Sequence, residues 1–180
     1  MPEKRKKSRG GSESVKEKTL LVHPFPPLYD SESKVLILGS FPSVVSREQN
    51  FYYANRTNRF WPLLAQLFEE TIPKTTEERT AFCHRHHIAL WDVIESCTIH
   101  GSSDASISDV TVNEIDALAE KTGITAVFTT GRKASELFER HVRTRLKHIA
   151  LPSTSAANAR MRMEDLKREY QVIRDYAEKD

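Results

Sequence analysis

Residues 50–61 read Asn-Phe-Tyr-Tyr-Ala-Asn-Arg-Thr-Asn-Arg-Phe-Trp, with three consecutive aromatics, three asparagines and two arginines in twelve positions. Aromatic faces stack on bases and arginines meet phosphates, so this density reads as a nucleobase pocket beside a nucleic-acid backbone track. The competing reading is that the aromatics are core and Asn58 caps the helix that follows. Four other short segments hold residues able to bind or react: Gly39-Ser40-Phe41-Pro42-Ser43, Trp91-Asp92, Thr129-Thr130-Gly131-Arg132 and Leu151-Pro152-Ser153-Thr154-Ser155. Each is small, hydroxylic or acidic, and so leaves backbone amides accessible. A fifth cluster, Cys83-His84-Arg85-His86-His87, matches no usual zinc spacing, and neither a metal nor a cofactor is expected.

Each of the four segments follows or closes an apolar run. Lys34–Leu38, Ile88–Val93, Ile124–Thr129 and Lys147–Leu151 read as short buried strands. Helical spacing predicts helices over Phe60–Glu70, Thr76–His86, Val112–Lys121, Lys133–Val142 and Met163–Ala177. Pro62 fits the first turn of the first of these, where its missing N–H is not needed. Strands without polar alternation, separated by helices, imply a parallel sheet covered on both faces. The expected fold is therefore an α/β, three-layer α/β/α sandwich with a central four-stranded parallel sheet. Ligands of such sheets bind outside the carboxyl ends of the strands, where the four segments lie.

Charge divides the chain. Its 180 residues carry 27 Lys and Arg against 25 Asp and Glu, a net charge of +2. Residues 1–18 hold seven bases and three acids, residues 19–130 eight bases and fourteen acids, and residues 131–180 twelve and eight. A basic tail and a basic C-terminal third thus flank an acidic middle, which suits a polyanion approached by part of the surface. Residues 1–18 contain too little apolar surface to order alone and read as a disordered arm, with the domain over 19–180. Two cysteines exclude a disulfide scaffold, no apolar run reaches membrane length, and a cytoplasmic, nucleoid-associated location is expected. Neither a Gly-x-Ser-x-Gly elbow nor a P-loop is present, against a serine hydrolase or nucleotide-binding protein.

Taken in order, Gly39-Ser40-Phe41-Pro42-Ser43, Phe51-Tyr52-Tyr53-Ala54 and Asn58-Arg59-Phe60-Trp61 resemble the first motif region of the uracil-DNA glycosylase superfamily. The similarity is to its hypoxanthine-DNA glycosylase branch. It continues through Leu90-Trp91-Asp92-Val93-Ile94, Gly101–Ile107, Leu151–Ser155 and Ala157-Asn158-Ala159. The resemblance implies a monofunctional enzyme that flips a deaminated base, hypoxanthine first and uracil or xanthine after it, and hydrolyses the N-glycosidic bond. Ser40 stands where mismatch-specific relatives carry Asn, so the water-handling role falls to Asn58, with Asn55 as its substitute. An amide has no useful pKa, but it orients water and its dipole favours cationic charge on the sugar.

The resemblance further assigns Tyr53 to stacking on the flipped base and Asp92 to accepting from a ring N–H. Backbone donors at Ser40 and Phe41 would meet a base carbonyl. Pro152, Ser153, Thr154 and Ser155 would form the loop that pinches the DNA backbone, with Arg160 just downstream. Leu151 stands where relatives with a leaving-group histidine place it. The partner is DNA containing deaminated bases, with no membrane partner and a monomeric protein. The rival from another class is a catalytically silent nucleic-acid-binding module of the same fold.

Overall fold

A computed structural model describes residues 17–101 and 106–180. The basic arm therefore lies outside the described residues up to position 16, as do residues 102–105 of the Gly101–Ile107 motif. Lys18, counted with the arm from sequence, opens the first strand, β1 (Lys18–Val22).

The central sheet is formed by β2 (Val35–Gly39), β3 (Ile88–Asp92), β6 (Ala126–Thr130) and β7 (Lys147–Leu151) in the order β3-β2-β6-β7. All its pairings are parallel, as expected. Every residue of β2 is buried, which a central strand covered on both faces requires. Its alternate side chains divide the core. Val35 and Ile37 face α2 (Phe60–Leu67) and α6 (Met163–Ala177), packing with Leu63, Leu64, Leu67, Tyr170 and Ile173. Leu36 and Leu38 pack on the other side with Ile115 and Leu118 of α4 (Ile115–Ala119) and Phe138 of α5 (Arg132–His141). These are the three expected layers.

One short element near the strand exits was not expected from the pattern. Helix α1 (Val44–Gln49) follows β2, with Ser43 as its N-cap accepting from the Ser46 amide. Helix α3 (Thr76–Arg85) starts with a Thr75–Glu78 capping box, which explains why its N-terminus was legible.

The larger departure is a second sheet. β4 (Ile94–His100) leaves β3 after one residue and pairs antiparallel with both β1 and β5 (Ile107–Val112), in the order β1-β4-β5. The helix expected over 112–121 is shortened at both ends to the five residues of α4, its start being taken by β5. Register shifts between Ile94 and Ser96 and between Ser96 and Thr98 break the two-residue alternation that marks a half-buried strand.

Candidate active site

All four exits of the parallel sheet meet at one cavity of about 250 Å³. β2 contributes Gly39 and Ser40, β3 Asp92, β6 Thr130, and the turn after β7 Ser153, Thr154 and Ser155. The α1–α2 loop closes it with Tyr52, Tyr53, Asn55 and Asn58, and Phe41 completes its edge. This volume falls below the range typical for drug-sized ligands and suits one small ring system.

Asp92 is the buried charge of the site. Its Oδ2 lies 2.7 Å from Nε2 of His23, with side chains 7% and 4% exposed. Burial pushes the Asp92 carboxyl above its ordinary range, and the hydrogen bond from His23 opposes that rise. Gly39 is its register partner on β2. A methyl group at Gly39 would lie 2.6 Å from Asp92 Oδ1, so only glycine leaves room for the carboxylate. The Asn113 amide donates to the Asp92 carbonyl at 2.8 Å and fixes the strand end.

Tyr53 takes a left-handed backbone, φ 51°, which costs a non-glycine residue strain and is held only where surroundings impose it. Two contacts impose it here. Its ring stacks on Phe60 with centroids 3.6 Å apart, and its hydroxyl bonds Thr130 Oγ1 at 3.0 Å. Phe60 covers one face, so a stacking partner must use the other. Tyr52 is instead packed against Phe25 and Phe51 and donates to the Pro26 carbonyl, a core role. Burial raises both phenols well above their ordinary pKa.

Asn58 lines the cavity and also receives the first backbone amide of α2. Its Oδ1 accepts from the Phe60 amide at 3.0 Å and from Thr154 Oγ1 at 2.7 Å. The backbone donor fixes which end of the amide is oxygen, and both lone pairs of that oxygen are taken. Asn55 is tied into an Asx turn, its Oδ1 accepting from the amide and hydroxyl of Thr57. Of the two asparagines, Asn58 is the one joined to the loop after β7.

That loop shows two departures from the sequence reading. Arg59, one of the two arginines of the segment read as a backbone track, turns inward. Its guanidinium donates to the carbonyls of Thr154 at 3.3 Å, Ser155 at 2.9 Å and Asn158 at 3.0 Å, and also to Met161. Thr154, read as part of the DNA pinch, is 2% exposed, and its hydroxyl belongs to Asn58. The physical reason is shared: a tight loop aims its carbonyls at the protein, and a planar five-donor fork collects them. Tyr170 adds a 2.6 Å bond to the Pro152 carbonyl, and Asn158 Nδ2 reaches the Ser153 carbonyl. Ser153 Oγ accepts from the Ser155 amide, and Gly131, at φ 93°, passes close to Ser153. Arg160 remains exposed at the loop's outer side, with no hydrogen bond or ion pair among the described residues.

Sequence reasoning missed His23 and the inward Arg59, and it singled out the Thr129–Arg132 segment without the bond from Thr130 to Tyr53. His23 follows edge strand β1, where its amide donates to the Glu95 carbonyl of β4 at 2.7 Å. The only local signal was one titratable residue opening a proline-rich segment, His23-Pro24-Phe25-Pro26. In the cluster Cys83–His87, Cys83 is buried and His86 pairs with Glu70 at 2.6 Å. Among the described residues no group of acidic, His and Cys side chains is arranged to hold a metal ion, and no helix is long and apolar enough to cross a membrane.

Comparison with known proteins matches residues 26–176 to the model of the Uracil DNA glycosylase superfamily. A hypoxanthine DNA glycosylase of Methanosarcina acetivorans is 34% identical over 139 residues, spanning 76% of this chain and 87% of its own. A hypoxanthine DNA glycosylase of Methanosarcina barkeri is 32% identical over 114 residues, 62% of this chain and 72% of its own. A solution NMR structure from M. acetivorans, named provisionally as a uracil DNA glycosylase, superposes with a TM-score of 0.71 at 29% identity. That likeness covers 86% of this chain and 99% of the other.

Proposed function

Because the chain belongs to the Uracil DNA glycosylase superfamily, we propose that its strand-end cavity receives a base flipped out of DNA, hypoxanthine first, and that water there cleaves the N-glycosidic bond. The carrying observation is the meeting, in one cavity sized for a single base, of a carboxylate, a half-covered tyrosine and a hydrogen-bonded Asn58–Thr154 pair. The similarity to two hypoxanthine DNA glycosylases supports the choice of base.

Deamination replaces a ring nitrogen's lone pair with an N–H, at N1 when adenine becomes hypoxanthine and at N3 when cytosine becomes uracil. A carboxylate is acceptor-only, so Asp92 attracts these edges and repels the lone pairs of adenine and cytosine. Tyr53 offers its uncovered face to the ring. Backbone amides at Ser40 and Phe41 serve the base carbonyl. In the reaction, the water oxygen bonds C1′ of the sugar and the electron pair of the C1′–N bond leaves with the base. One water proton goes to solvent as a proton from solvent reaches the base, and free base and an abasic sugar remain. Among the described residues lining the cavity there is no lysine, so water and not an amine is the nucleophile.

Asn58 Oδ1 is already saturated, so the acceptor offered to the water is Thr154 Oγ1, whose own proton points at Asn58. Asn58 acts through Thr154 and through its amide group, which orients the water and places a dipole near the developing positive charge. At the cavity's mouth Ser153 and Ser155, and beyond it exposed Arg160, approach the phosphates, and the carbonyl clamp of Arg59 holds that loop in shape.

The test is a duplex carrying one deoxyinosine. Wild-type protein releases hypoxanthine and leaves an alkali-labile abasic site, and Asn58→Ala lowers the rate by about 100-fold or more while DNA affinity persists. No base released from deoxyinosine, deoxyuridine or deoxyxanthosine under saturating protein overturns the reading. Salt-sensitive DNA binding without an abasic product would instead favour the silent binding module.

A further inference from the structure

We infer that His23 is a positioning residue that sets base selectivity, occupying one oxygen of Asp92 so that the other is left as the single acceptor facing the cavity. The inference rests on the proposed reading of Asp92 as the base-contacting side chain.

The geometry is specific. His23 Nε2 is 2.7 Å from Asp92 Oδ2, while among the described residues no donor reaches Oδ1, the oxygen beside Gly39. Among the described residues, the one enclosed side-chain polar atom without a partner is His23 Nδ1. It lies in an aromatic surround, with the rings of Phe25, Phe41 and Tyr52 at 4.7, 5.9 and 6.1 Å from the imidazole. A proton on Nδ1 would be a buried N–H without an acceptor, whereas the tautomer protonated at Nε2 leaves only a lone pair there. The surround therefore selects the tautomer that donates to Asp92. The backbone bond from His23 to Glu95 and the packing of the ring hold the donor in place.

The consequence is a difference in what Asp92 reads. As a carboxylate it accepts from the N–H of a deaminated base. With a proton it would become a donor, and the lone pair of adenine N1 or cytosine N3 would then fit equally well. Burial favours that protonated form, and the bond from His23 opposes it. The other titratable groups facing Asp92 are the phenols of Tyr52 and Tyr53, both kept neutral by burial. No lysine or arginine among the described residues hydrogen-bonds either oxygen. Opposing the proton thus falls to His23.

The test compares wild type, His23→Phe and His23→Gln by excision of deoxyinosine across about pH 6 to 9. Phenylalanine keeps the ring packing and loses the donor, and glutamine keeps a donor. His23→Phe should lose roughly tenfold in rate near neutral pH, recover as pH rises, and show its acid limb displaced upward by about one pH unit. His23→Gln should restore much of the wild-type profile. A second readout needs no catalysis: the ratio of affinities for free hypoxanthine and free adenine. It should hold steady in wild type and fall toward one in folded His23→Phe as pH is lowered. A wild-type profile and an unchanged affinity ratio in folded His23→Phe overturn the inference. Failure of wild type to release base sinks the parent reading instead, and the affinity ratio then still decides the role of His23 in base binding.

Discussion

Two histidine–carboxylate pairs of almost equal length sit in opposite surroundings. His23 and Asp92 meet at 2.7 Å inside the cavity, and His86 and Glu70 meet at 2.6 Å on the surface behind α2 and α3. Glu70 is also gripped by Arg85, whose two hydrogen bonds hold its carboxyl down to about 2. Asp92 has no Lys or Arg bonded to it among the described residues, and burial moves its carboxyl the other way. The same donor–acceptor contact is a surface clasp in one place and a poised reading group in the other. Solvent and a second cation make the difference, not distance.

Exchanging each carboxylate for its amide separates the two roles. Asp92→Asn should lower deoxyinosine excision by about 100-fold or more, since the site built around an N–H donor loses its charged acceptor. Its effect on stability runs the other way. A carboxylate raised on folding binds protons more tightly in the folded state, so its cost to stability appears as pH rises above about 3.8. Denaturant melts should therefore find Asp92→Asn no less stable than wild type at neutral pH. A destabilised but active Asp92→Asn would mean that the pair is structural, like its surface counterpart.

The cavity pair also depends on what frames it. Arg59→Lys should cost about 3 kcal/mol in denaturant unfolding, because an ammonium cannot reach four loop carbonyls and unmet buried acceptors cost about 1–3 kcal/mol each. Gly39→Ala should cost about 1–3 kcal/mol and at least a tenfold loss of excision, as the new methyl group displaces Asp92 Oδ1. If Gly39→Ala retains full activity, the carboxylate does not work from the observed position.

The smallest effect is expected at the surface pair. Glu70→Gln should leave excision unchanged and lower stability by at most about 1 kcal/mol at neutral pH. Glu70 is depressed on folding, so its contribution is present above about 4.5 and fades as pH falls toward about 2. The difference between the proteins should vanish in that window. The slope of stability with pH thus has opposite sign for the two carboxylates.

Much of this was legible from local pattern. The continuous apolar runs determined the parallel strands and their order of use, and the residue types after each run located the cavity. Motifs in succession pointed to the family before any side chain was placed, and Asn58, Tyr53 and Asp92 all line the cavity. The second sheet was hidden because bulges in β4 erase the two-residue period. With that sheet went His23, which reaches Asp92 only because β1 pairs with β4. Thr154 and Arg59 were misdirected for a related reason: a hydroxyl and a guanidinium look alike in sequence whether they face solvent or a loop's own carbonyls.

What the sequence by itself determined, then, is the α/β sandwich, the strand ends that carry the chemistry and the residue types available there. What only the tertiary structure decided is which groups hold those residues: His23 on Asp92 across 69 positions and Thr154 on Asn58 across 96. Local periodicity reports a strand or helix because neighbouring residues share its geometry. A hydrogen bond between distant segments leaves no such period, and its partners are chosen only when the layers pack.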